Sequence, residues 1–177
     1  MRETGTPIWV GEFGPVYVDE PAADDMRYQV LRDQLEIYDR YQASWAIWTY
    51  KDIGLQGVVY TAPDSPWRRL LAPFLEKKAR LGVDAWGSVD TQIRPLMQPL
   101  EEIFAREFPD YHPFHFDAHG MIHLLVRHIL LAEPLLQEFA AFFKGLDEQD
   151  IDTLMQSFQF KNCLQRTELA RIVSAFH

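Results

Sequence analysis

Two short apolar segments, each ending at a turn, limit most strongly what this chain can fold into. The first is Pro7-Ile8-Trp9-Val10-Gly11-Glu12-Phe13-Gly14, where Ile8, Trp9 and Val10 form a continuous apolar run stopped by glycine. The second is Ala43-Ser44-Trp45-Ala46-Ile47-Trp48-Thr49, followed by a loop, Tyr50 to Asp64, that carries Lys51, Asp52 and two glycines. Unbroken apolar runs of this length read as strands buried on both faces, the habit of parallel sheets. Between them, Met26, Val30, Leu31, Leu35, Tyr38 and Tyr41 recur at helical spacing, with Asp24 and Asp25 as cap candidates at the positive end of the helix dipole. Ser65-Pro66-Trp67 predicts a second helix, with serine as N-cap and proline at the first helical position. It runs to about Leu81 and closes on Lys77, Lys78 and Arg80, cations that suit a helix C-terminus. The order strand, helix, strand, helix implies parallel strands joined by right-handed crossovers.

Composition changes over Gly82 to Asp90. From Thr91 onward no strand is expected, and residues 93–107, 121–143, 150–158 and 166–176 read as amphipathic helices. Residues 109–116 form a turn-rich aromatic link, and Pro134 should kink or divide the helix that contains it. Residues 1–81 carry 10 basic and 12 acidic side chains, whereas 82–177 carry 7 and 14. The expected organisation is therefore α/β over residues 1–81, followed by an acidic, all-helical extension over 82–177. The acidic stretch Asp147 to Asp152 reads as a solvated helix boundary.

A net charge of −9 argues against a nucleic-acid or anionic-membrane surface. The single cysteine, Cys163, excludes an internal disulfide and is expected to pack as a small hydrophobe. Neither a membrane span nor a signal peptide is expected. No localisation follows from these features.

Glu12 is the first candidate for chemistry. It lies at the C-terminal end of the first strand between Gly11 and Gly14, and parallel α/β folds gather ligands at that end. Trp48 lies at the same end of the second strand, 36 residues later, a reasonable length for one β/α unit. An aromatic face beside a carboxylate suits a sugar, since the ring covers the apolar face of a pyranose and the carboxylate can attack the anomeric carbon. Trp45 is expected to pack in the core.

Together, Pro7 to Gly14 and Ser44-Trp45-Ala46-Ile47-Trp48-Thr49-Tyr50-Lys51-Asp52 resemble the last two β/α units of glycoside hydrolase family 5, the cellulase-like retaining β-glycosidases. Ile53-Gly54-Leu55-Gln56-Gly57 and Ser65-Pro66-Trp67 continue the likeness, which covers residues 6 to about 70. The resemblance implies the end of a (β/α)8 TIM barrel, with Glu12 matching the catalytic nucleophile and Trp48 the tryptophan that stacks on the sugar. Lys51 and Asp52 match loop and substrate-binding positions, a β-linked glycan or glycoside is the implied substrate, and no cofactor or metal is implied. The helical remainder, including Ser157-Phe158-Gln159-Phe160-Lys161-Asn162-Cys163, looks like an extension found on some fungal-type members.

The family's acid/base glutamate follows an asparagine, but Asn162 is the only asparagine here and no Asn-Glu pair exists. A retaining mechanism needs two carboxyl groups about 5–5.5 Å apart. A complete barrel needs about 250 residues, against 177 here. A fragment of a retaining β-glycosidase, inactive alone, is therefore the expected function. The alternative is a non-catalytic module whose acidic helical half binds a partner protein.

His115, His119 and His123 recur every four residues, near Asp117 and His128, and two imidazoles so spaced on one helix can share zinc. Pro113 and Gly120 interrupt that run, so histidine tips on a partly exposed helix start are the expectation. Finally, two adjacent parallel strands leave both sheet edges unpaired. Such a fragment must close on its helical extension, associate with other chains (missing N-terminal barrel units or copies of itself), or stay loosely packed, and its sheet should be small.

Overall fold

A computed structural model describes residues 5–83, 90–111 and 118–176 of the chain. It divides into two compact units, one of residues 1–68 with 152–177 and the other of residues 69–151. The contact boundaries fall inside two helices and so differ from the composition change near residue 82.

In the first unit, strand β1 (Trp9–Phe13) leads to helix α1 (Pro21–Arg40), which returns the chain to strand β2 (Ser44–Ile47). The strands pair in parallel, Trp9 opposite Ser44, Val10 opposite Trp45 and Phe13 opposite Ile47. Three steps on β1 therefore match two on β2, which is a β-bulge over Gly11 and Glu12.

β1 is not buried on both faces. Phe13 is buried and Val10 packs against the core, while Ile8, Trp9, Gly11 and Glu12 are exposed. A two-stranded sheet has only α1 and the C-terminal helix to cover it, and these meet one face. That core joins Phe13 and Tyr17 to Leu31 and Leu35 of α1, with Leu169 and Ile172 from helix α7 (Thr167–Val173). Trp45 packs against the same cluster, edge-on to Phe13 at 5.7 Å.

The buried face of α1 is built on Leu31 and Leu35, with Tyr28 and Tyr38 packed beside them. Met26, Val30 and Tyr41, expected on that face, are exposed. They lie around the helix from Leu35, toward water. The cap also differs from expectation: the Glu20 carboxylate accepts the Ala23 amide at 2.7 Å. Asp24 is instead buried, accepting from the Val18 amide and the Arg27 guanidinium, each at 3.0 Å.

Strands β3 (Lys51–Asp52) and β4 (Val59–Thr61) continue the chain, and helix α2 (Pro66–Leu81) starts at the expected Ser65-Pro66 signal. The Ser65 hydroxyl accepts the Arg68 amide at 3.4 Å. A second sheet has the order β3-β4-β5, and β5 (Cys163–Gln165) pairs antiparallel with β4. This strand corrects the expectation of an all-helical C-terminal half. Three residues are too few to show alternation, and β5 exists because β4 offers it an edge. Cys163 is partly buried in β5.

The second unit is helical. Helix α3 (Arg94–Glu107) is followed by α4 (Ala118–His123), a π-helical segment (Leu124–Leu130) and α5 (Ala132–Ala141). The helix expected over 121–143 is thus divided, and the break at Leu131 precedes Pro134, whose ring and missing N–H confine it to a first turn. Ile93, Met97 and Ile122 form one buried cluster here, and Phe74, Val83 and Leu135 form another. Helix α6 (Glu148–Met155) follows, and Asp147 and Asp150 cap it reciprocally, each carboxylate accepting the other's amide at 2.9 and 3.2 Å. Among the described residues, no helix is long and apolar enough to cross a membrane.

Candidate functional site

Glu12 owes its placement to the bulge. Phe13 beside it turns into the core, and the extra residue re-aims its neighbour outward. The Glu12 side chain is exposed, and its carboxylate has no hydrogen bond or ion pair among the described residues. A carboxylate left unengaged at the C-terminal end of a parallel strand is open to an incoming ligand.

Trp48 follows Ile47, which packs against the core, and is 50% exposed. Its amide donates to the Phe13 carbonyl at 2.7 Å, so the ends of β1 and β2 are stitched together just beyond Glu12. The approach is tight. A Cβ on Gly14, whose φ is +150°, would lie 2.4 Å from the Trp48 carbonyl oxygen. The glycine two residues after Glu12 is thus required by the tryptophan backbone. The peptide bond from Trp48 to Thr49 is cis.

Lys51 and Asp52 use their polar ends differently. The Lys51 ammonium donates to the Phe158 carbonyl and fastens the C-terminal segment. Asp52 accepts the amides of Gly54, Leu55 and Gln56 at 2.8, 3.1 and 2.6 Å, which folds the loop after β3. That loop reaches back to the first: Leu55 carbonyl accepts the Tyr17 amide at 2.7 Å, and Gln56 Nε2 donates to the Gly14 carbonyl at 3.1 Å. The structure therefore bonds the Trp48 backbone to the residue that follows Glu12 and makes Lys51 and Asp52 supports of the loops nearby.

The chain is similar to a β-xylosidase. The relative, from Phanerodontia chrysosporium, is 39% identical over 186 residues, a match that takes in 98% of this chain and 39% of that protein. The chain thus spans about two fifths of the length of the curated relative it matches. No protein-family model and no solved structure matches the chain.

Of the expected histidine cluster, His115, its neighbour Asp117 and the side chain of His119 lie outside the described residues. His123 faces carboxylates, with Nε2 3.3 Å from Asp90 and 3.8 Å from Glu101, and its Nδ1 is 3.4 Å from Arg127. His128 is exposed. Among the described residues, no group of three or more His, Cys, Asp or Glu could hold a metal.

Two features were missed in the sequence. Arg166 is buried with its guanidinium carbon 4.7 Å from the Tyr17 ring centre and 4.3 Å from that of Tyr60. No periodicity flags such a residue, because its partners are more than a hundred positions away. Tyr50 and Phe160 stack with ring centres 6.5 Å apart. Two phenylalanines flanking Gln159 were the only hint.

Proposed function

We propose that this chain forms the end of a (β/α)8 glycosidase barrel that hydrolyses β-linked glycosides with retention, β-xylosides first among them. Glu12 is the nucleophile and Trp48 the platform for the sugar. The observation that carries this reading is the Trp48 amide bond to the Phe13 carbonyl, which joins an unengaged carboxylate and an exposed indole at one end of two parallel strands. Similarity to a protein named β-xylosidase supports the substrate class. Residues 82–177 are read as an extension of that enzyme, with 152–177 and its strand β5 folded back as part of the β/α unit.

In the reaction, a Glu12 carboxylate oxygen bonds to the anomeric carbon as the bond to the leaving oxygen breaks. That oxygen takes a proton from a second carboxyl group, and water then cleaves the glycosyl ester with the same group acting as base. With no Asn-Glu pair in the chain, the reading takes this second group from the part of the relative's length outside the match. Lys51 and Asp52 hold the surrounding loops.

The test exchanges residues 1–177 for the matching portion of the β-xylosidase. The hybrid should hydrolyse a nitrophenyl β-xyloside, and Glu12→Gln should lower kcat by at least about 10³-fold, as removal of a nucleophile does. Azide added to Glu12→Ala should restore turnover as an α-xylosyl azide. Unchanged turnover in Glu12→Gln would sink the assignment. The isolated chain should not turn over this substrate.

A further inference from the structure

Tyr50 and Phe160 are the most exposed aromatic pair beside the candidate site. Their planes differ by 15° with ring centres 6.5 Å apart, and each residue is 62% exposed. Tyr50 follows Trp48 by two residues, which limits their Cα separation to about 7 Å.

Neither ring is loosely attached. The Tyr50 carbonyl accepts the Val59 amide at 2.9 Å. Phe160 opens a short 3-10 turn whose ends are tied: Asn162 Nδ2 donates to the Gln156 carbonyl at 2.9 Å, and Cys163 pairs with Thr61 in the sheet. Lys51 fastens Phe158 just ahead of it. The backbone that carries the two rings is therefore tied down, while most of the surface of both residues stays in water.

We propose that Tyr50 and Phe160 form an aromatic platform for a second sugar ring of a β-linked oligosaccharide, next to the sugar that lies on Trp48. The inference rests on the glycosidase reading above and adds a preference to it. A pyranose offers C–H groups on its faces, and a fixed aromatic ring covers them with little loss of side-chain freedom. Phe160 comes from the C-terminal segment, so that segment takes part in choosing substrate length. No bond is made or broken at the platform.

Calorimetric titration of the 177-residue chain with xylotriose and with xylose tests this. The trisaccharide should bind about tenfold more tightly than the monosaccharide, the gain expected of one or two aromatic contacts. Phe160→Ala should weaken xylotriose binding about fivefold and leave xylose binding unchanged, while Phe160→Trp should restore it. Because both rings are exposed, the alanine variants should keep the wild-type circular dichroism spectrum, which is checked first. Wild-type xylotriose affinity in both Phe160→Ala and Tyr50→Ala overturns the platform, and so does a chain that binds xylotriose no better than xylose. Neither result touches the role of Glu12, which the hybrid enzyme reports. Conversely, platform-dependent binding together with an unaffected Glu12→Gln hybrid keeps the platform and removes the glycosidase assignment.

Discussion

The Arg166 guanidinium carbon sits 4.3 Å from the centre of the Tyr60 ring, and Tyr17 closes the other side at 4.7 Å. Arg166 also donates to the Gly54 carbonyl at 2.5 Å and to Asp19 at 3.2 Å. One side chain of the C-terminal segment thus ties together the loop after β1 and the loop after β3. The planar guanidinium can stack and donate at once, which a lysine ammonium cannot.

Replacing Arg166 by methionine should therefore destabilise the chain by about 3 kcal/mol, the sum of two partly desolvated cation–π contacts and charged hydrogen bonds. Arg166→Lys should recover less than half of that. Urea unfolding followed by circular dichroism measures both. A loss below about 1 kcal/mol, the scale of a surface ion pair, would contradict this role.

Gly14 offers a sharper steric test. An added Cβ would meet the Trp48 carbonyl oxygen at 2.4 Å, and the φ of +150° already disfavours any side chain. Gly14→Ala should cost about 2 kcal/mol or more and weaken sugar binding through displacement of Trp48. Gly145 also has positive φ, +87°, but an added Cβ there meets nothing within 4 Å. Gly145→Ala should therefore leave sugar binding unchanged. Equal binding by the two variants would count against the packing of Gly14 on Trp48.

The junction of α1 and α7 should respond to acid. Glu168 is held by the Arg171 guanidinium, first through hydrogen bonds at 2.7 and 2.8 Å and then by charge, with Arg32 of α1 adding to it; its carboxyl is lowered to about 2. A carboxyl group lowered on folding stabilises the native state above its unfolded value, and this contribution is lost as pH falls. The window therefore runs from about pH 4.5 down to about 2. In that window Glu168→Gln should flatten the fall in urea midpoint, and added salt should shrink the difference between the variants because the pair is near solvent. Parallel pH curves for the two proteins would contradict the linkage.

Much of this was legible from local chemistry. Ser65-Pro66 announced α2, and the runs around Trp9 and Trp45 announced two strands with a helix between them. Glu12 and Trp48 stood out because each ended an apolar run. What was hidden depends on distant partners. Strand β5 forms because Val59 to Thr61 presents an edge to it. Asp24 looked like a helix cap, but the Val18 amide and Arg27 take its carboxylate. The outward bend at Glu12 follows from a register mismatch between β1 and β2, and a register is a property of two strands that neither shows alone.

The most direct test of the central claim is covalent trapping on the hybrid enzyme with a 2-deoxy-2-fluoro-β-xyloside bearing a dinitrophenolate leaving group. The fluorine slows hydrolysis of the glycosyl ester, so the intermediate accumulates, and peptide mass mapping locates it. The account predicts one fluoroxylosyl group per chain, carried by the peptide that contains Glu12 and absent in Glu12→Gln. A label on any other carboxylate, or inactivation that proceeds unchanged in Glu12→Gln, would contradict it.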